Sequence, residues 1–345
     1  MKPFFFLACM AFSLLAQGQT LNGIEAVEYD PQNNRWFVSN GSSLLVTSDQ
    51  GGSWDFFGEA QASHGMEVMG DVLYAVGFNV IRAYNLNNAE LIGSLVISGV
   101  GFLNGLGSDG ESQLVVSDFS NSRLYTVDAT QPEDMQYELL AGNFGSTPNG
   151  VVIDTDNNRA LVVCWGNNAD ILAVDLESGD VTTLVNGTGL GNLDGIDSDG
   201  NGAFYVSSWS PTRITRYTEG FTVSETVVTG SGGLSNPADI SYAENLDTLG
   251  VANSGNDQVT FHGFGSTTGL EELGQDPIRG HLTPGMVHLS LTRPDEVSLL
   301  VFDAVGKKLN TRTEYLPQGK VRVPLTVPLG GMVVVQSSAA RIVIR

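Results

Sequence analysis

Apolar and polar positions alternate along this chain in short runs, and the runs recur as one repeated unit. The unit is a polar turn, a strand, an acidic or Asn-rich turn, and a second strand ending near a polar or aromatic residue. Its clearest copies are PNGVVIDTDNNRALVVCW from Pro148 and LDGIDSDGNGAFYVSSW from Leu193. Further copies begin at Glu25, His64, Asn104 and Pro237. The lead residues Glu25, His64, Asn104, Asn149 and Asp194 are 39, 40, 45 and 45 residues apart, and Ala238 follows after 44. Most copies carry a third strand, such as NVIRAYNL from Asn79 or DILAVDL from Asp170, and several a fourth, such as DVTTLV from Asp180. No long segment holds a 3.6-residue apolar period, so the chain reads as all-β. A strand-and-turn period near 40 predicts a six-bladed β-propeller, one blade per repeat, with four strands in each.

The two ends read differently. Residues 1–18 have a charged start at Lys2, an apolar run from Phe4 to Ala16 and a small-x-small site at Ala16-Gln17-Gly18, the pattern of a signal peptide. No later run is long enough for a membrane span. The propeller is expected over 19–263 and a linker over 264–280. A small C-terminal β-sandwich is expected over 281–345, from MVHLSLT, VSLLVFDAVGKKL, KVRVPLTV, GMVVVQ and ARIVIR. Charge supports the division: residues 1–278 hold 7 Lys and Arg against 34 Asp and Glu, and residues 279–345 hold 9 against 4. So acidic a first part argues against nucleic acid and anionic membrane as partners, and suits a secreted protein or one that uses cations. Signal removal leaves Cys164 alone, in the apolar stretch LVVCW, where a buried inert thiol is expected. TSDQGGSW, with Thr47, Asp49, Gly51 and Trp54 at Asp-box spacing, predicts a hairpin turn on the propeller rim.

In a propeller, equivalent positions of successive blades converge on one axis. Glu25, Asn104, Asn149 and Asp194 would then meet there as oxygen donors, beside His64 and the apolar Ala238. Two carboxylates and two amides suit a hard divalent cation, Ca²⁺ first among them, which takes 6–8 oxygens. Residues ending the second strands should flank the mouth above this ring, among them Phe78, Asp118, Trp165 and Trp209. Each Asn-Gly or Asp-Gly pair also has a plain reading as a turn former.

Blades four and five resemble the gluconolactonase/regucalcin family, with Glu25, the Asn149 of PNG and the Asp194 of the D-G turn on that family's metal-ligand positions. SHGM, with His64, is similar to the His-Gly of paraoxonases. Blade three departs from both, with Leu103-Asn104 where they carry Asn-Asp. The resemblance implies a Ca²⁺-dependent hydrolase of a lactone or ester, with Asp194 or His64 activating water. The alternative is a non-catalytic propeller binding glycan, peptide or protein through the same cup. The tail resembles the C-terminal sorting domain of type IX secretion cargo, through Asp276-Pro277, LLVFDAVGKKL and LTVPLGGMVVVQ. That resemblance implies passage through the periplasm, contact with the type IX machinery, and a secreted or cell-surface destination. A generic carbohydrate-binding or immunoglobulin-like tail is the other reading. A monomer is expected.

Overall fold

The computed structural model describes residues 18–218, 220–264, 278–283, 286–291, 294–302, 307–328, 332–337 and 341–344. The expected signal peptide and most of the expected linker lie outside these residues. The chain divides into two compact units between Ser266 and Thr267.

The first unit consists of six antiparallel sheets, each a meander in chain order. Their innermost strands are Val27–Asp30, Met66–Met69, Leu103–Ser108, Thr147–Asp154, Gly191–Ser198 and Pro237–Ala243. Successive inner strands lie side by side, and the sixth returns against the first, closing a six-bladed propeller. Blades 1 to 5 have the four strands expected of them. Blade 6 has three among the described residues, Pro237–Ala243, Thr248–Asn253 and Gln258–Gly263.

The inner strands meet backbone to backbone. A Cβ on Gly105 would stand 2.4 Å from the Asn149 carbonyl, and one on Gly150 2.3 Å from that of Asp194. Only glycine permits so close an approach. Serines on the second strands tie the same level together. Ser117 Oγ accepts from Gly105 N–H at 2.9 Å and donates to the Asn149 carbonyl of the next blade at 2.6 Å. Ser207 repeats the bridge, with Gly195 N–H and the Ala238 carbonyl both at 2.7 Å.

Inner-strand pairing breaks at this level. The register shifts between Pro148 and Val151, between Leu193 and Ile196, and between Pro237 and Ile240. An extra residue in one strand is a β-bulge, which resets the two-residue alternation of faces. In blades 4, 5 and 6 the lead residue therefore shares its side of the strand with the residue three further on.

At the opposite strand ends, the turns DPQNNR and DTDNNR hold their own acids. Asp30 accepts from the backbone N–H groups of Gln32 and Asn33 and pairs with Arg35 Nε at 2.8 Å; Asp154 pairs with Arg159 Nε at the same distance. The seam between blades 6 and 1 is held by Gly23 N–H donating to Asp257 Oδ1 (2.6 Å), Asp239 N–H to the Glu25 carbonyl (3.0 Å) and Tyr29 N–H to Ser241 Oγ (3.1 Å). Trp36 fills the seam core, edge-on to Phe261 at 5.0 Å. The Asp-box turn is formed: Thr47 Oγ1 and Ser53 N–H donate to Asp49, above a buried Trp54.

The second unit is a sandwich of two antiparallel sheets. One contains Ile278–Thr283, Met286–Leu291 and Gly319–Pro324; the other contains Lys308–Leu316, Asp295–Phe302, Met332–Gln336 and Arg341–Ile344. Alternate residues of facing strands, among them Val287, Leu289, Val297, Leu299, Val333 and Val335, share one core.

The serine bridges predict a measurable cost. Ser207→Ala leaves the Gly195 N–H buried without its acceptor, and should destabilise the propeller by about 1–3 kcal/mol in denaturant unfolding. The outer, exposed Ser224→Ala should change stability by less than about 0.5 kcal/mol.

Candidate functional site

The bulged level of the inner strands sets the upper ring of the axis. Asn149 is 1% exposed; its Nδ2 donates to the Leu193 carbonyl at 3.1 Å, while its Oδ1 has no hydrogen-bond partner. The Asp194 carboxyl lies beside it. Burial raises the Asp194 pKa well above the usual carboxylate range, and the charges of Glu25 and Asp239 raise it further. Asn149 and the Trp209 indole act the other way, although Trp209 Nε1 makes no hydrogen bond of normal geometry. Glu25 is pushed up to about 7, by burial first and by Asp257 second. Asn104 is half-buried, with its carbonyl accepting from Gly65 N–H at 3.1 Å.

His64 stands at the same level in blade 2. Its Nδ1 is 2.9 Å from Ser63 Oγ and its ring lies edge-on to Phe102 at 4.5 Å. Burial lowers its pKa to about 4, so the imidazole is neutral at physiological pH. Ala238 is buried and apolar, as its sequence implies, but the next residue, Asp239, brings a carboxyl to the axis from blade 6.

A second level of acids lies three residues along the inner strands. Glu28 accepts from Val68 N–H at 3.0 Å, Glu67 from Ser108 Oγ at 2.8 Å, and Asp197 from Tyr242 N–H at 2.5 Å. Burial and mutual repulsion raise Glu28 and Glu67 well above the usual range. Burial pushes Asp197 up to about 7 and Asp239 up to about 8. None of these acids has a Lys or Arg partner among the described ion pairs. All six arginines of the propeller sit on second or third strands, never on an inner one. Glu28, Glu67, Asp197 and Asp239 each keep some accessible surface while surrounded by protein, as groups lining a narrow axial passage do. Among the described residues no three His, Cys, Asp or Glu side chains converge as metal ligands.

The mouth is aromatic. Phe78 and Phe119 directly follow the second strands of blades 2 and 3, and Trp165 and Trp209 lie at the ends of those of blades 4 and 5. With Phe102 they form a continuous arc. Ring centroids are 6.1 Å apart from Phe78 to Phe102 and from Phe102 to Phe119, 6.0 Å from Phe119 to Trp165, and 4.8 Å from Trp165 to Trp209. Phe78 is 60% exposed. Asp118, expected at the mouth, is instead fully buried one position earlier, where its carboxylate accepts from Gly101, Phe102 and Asn121. It shapes the loop that presents Phe102. Cys164 is buried, its thiol pushed up to about 12 by burial, and inert.

No family model matches the chain, and no curated protein matches it. Among solved structures, it is similar to the hydrazine synthase of Kuenenia stuttgartiensis, with 14% identity over 73% of this chain and 80% of that one and a TM-score of 0.51. The β-propeller domain of Cps50 (Swd1) from Myceliophteria thermophila has 8% identity over 72% and 99%, with a TM-score of 0.51. A protein of unknown function from Bacteroides thetaiotaomicron has 11% identity over 70% and 69%, with a TM-score of 0.57. These likenesses define the class as a β-propeller and carry the fold alone.

The axial acids fix the sign of a pH dependence. A carboxyl whose pKa is higher folded than unfolded keeps its proton in the native state after the unfolded chain has lost it. Its stabilisation is complete below the unfolded value and is lost as pH rises through the folded one. Glu25, Asp197 and Asp239 place that loss between about 4 and 8. In buffer free of divalent ions, the melting temperature should fall from pH 5 to pH 8, and Glu28→Gln should make the fall shallower. A flat profile would mean the axial carboxyls are already compensated.

Proposed function

We propose that this chain is an exported propeller whose axial mouth holds a divalent cation, calcium first, and uses it on a lactone or ester. One observation carries the reading: Asn149 Oδ1 is a buried acceptor without a partner, on a side chain beside Asp194, whose carboxyl repels that of Glu25. Hard oxygen donors of this kind suit Ca²⁺. Asn149, Asp194 and Glu25 would hold the ion, with Asn104 as a further donor. A bound cation would polarise an ester carbonyl.

The chain's own groups do the remaining work. Asp194, placed beside the ion, is the group that would accept a proton from the attacking water. His64 is neutral and turned edge-on to Phe102, which favours a positioning or hydrogen-bonding role over proton abstraction. Trp165 and Trp209 wall the cup and exclude water. The similarity of Glu25, Asn149 and Asp194 to the gluconolactonase/regucalcin ligand pattern supports this reading. Blade 3 carries Leu103-Asn104 where that family has Asn-Asp, which weakens the choice of lactone more than the choice of cation.

A second reading, a non-catalytic binding propeller, is favoured by the aromatic arc, which is longer than a small ester needs. In either case we propose export through the N-terminal signal, with the basic C-terminal sandwich serving type IX sorting.

Calcium should raise the melting temperature of the wild-type protein, because an ion that binds only the native state stabilises it. Glu25→Gln with Asp194→Asn should abolish that response. An unchanged response in the double variant places the ion elsewhere. A panel of lactones and aryl esters then separates the two readings: turnover lost in Asp194→Asn supports the hydrolase, and calcium binding with no turnover supports the binding module.

A further inference from the structure

A single spherical ion at the upper ring leaves the lower acids unanswered. Three residues of strand cover roughly 10 Å, so Glu28, Glu67 and Asp197 lie well below Glu25 and Asp194 along the axis. Among the described residues no three His, Cys, Asp or Glu side chains group as metal ligands, at this level or at the upper one. The two levels of acids stand one below the other along the axis, and a ligand that meets both must be long, narrow and cationic at more than one place.

We propose that the axial passage takes an extended organic polycation of the linear polyamine class, threaded through the aromatic mouth so that its ammonium groups meet both levels of carboxylates. This goes beyond the calcium reading and rests only on its premise that the axis is the ligand site.

Four features of the site fit such a ligand. The upper level offers the unpartnered Asn149 Oδ1 and the carboxyls of Glu25, Asp194 and Asp239, none of which has a Lys or Arg partner among the described ion pairs. Below, Glu28, Glu67 and Asp197 are acceptors whose only donors are neutral backbone and hydroxyl groups. The mouth is an arc of five aromatic rings, and aromatic faces attract alkylammonium groups while their edges pack against methylenes. Finally, no inner strand carries an Arg or Lys to compete for these acids. A neutral oligosaccharide would use the arc but leave the passage below it uncompensated, which is why charge decides for the polyamine.

The test is titration calorimetry on the full mature chain with spermidine, in calcium-free buffer at physiological ionic strength, where exposed charges are screened beyond about 8 Å. The expected result is saturable binding of one spermidine per chain. Glu28→Gln with Glu67→Gln should weaken it by about a hundredfold, taking one decade, about 1.4 kcal/mol, for each carboxylate removed. Trp165→Ala and the exposed Phe78→Ala should weaken it at the mouth, and these keep the test sound if the buried double variant melts early. Glu138→Gln, on the outer surface, should bind as the wild type does.

Because Glu28 and Glu67 are not among the residues assigned to calcium, the double variant should keep its calcium response, so the two readings fail separately. Binding that disappears with salt, or that survives both the axial and the mouth substitutions, would overturn the proposal as surface attraction only. So would binding of neutral oligosaccharides to the arc by a protein that ignores spermidine.

Discussion

Six strands of backbone pass around one axis with almost no side chain between neighbours, and everything else in the propeller depends on that approach. Gly105 and Gly150 are required because carbonyls of the next blade stand where a methyl group would be. Ser117 and Ser207 then satisfy the amides and carbonyls that the bulge takes out of the ladder. A buried, unpaired backbone group would cost as much as a lost hydrogen bond, so the serines are part of the closure and not decoration. The same crowding delivers the lead side chains to the axis.

The architecture was legible because it is written as a repeat. The 39–45-residue spacing, the acidic turns and the Asp box each point to features that are present, whereas the pairing of Asp30 with Arg35 and of Asp154 with Arg159 was not read from the repeat. The repeat spacing named axial residues at the upper level only. Simple alternation places residue i+2 on the same face as residue i, whereas the bulge of blade 5 brings i+3 there and hid Asp197; Glu28 and Glu67 likewise stand three residues after the leads of blades 1 and 2. Asp239 was hidden behind Ala238, the one apolar lead. At the mouth, Asp118 resembled a wall residue by count, but a short polar side chain ahead of a loop is better used to cap it, and the wall passes to Phe119. Phe102 belongs to a loop outside the repeat, so no spacing could announce it.

Charge gives the axis its character. The propeller's acids are distributed so that its few arginines are used away from the centre: on turn acids, on the Arg216–Glu225 surface pair, and on third strands. The central carboxyls are left to repel one another in a poorly solvated place, where an unpaired charge is costly. Either they hold protons or they hold something cationic. A purely structural channel would more cheaply be lined with the valines and leucines that fill the rest of each blade.

The seam between blades 6 and 1 joins the two ends of one chain and has no strand in common. Asp257 reaching to Gly23, the Asp239 amide on the Glu25 carbonyl, and Trp36 against Phe261 are what make a ring out of an open arc. The ring is therefore a clasp. If it loosens, blades 1 and 6 part first, and they carry Glu25 and Asp239, so the axis gains a lateral slot without any blade unfolding.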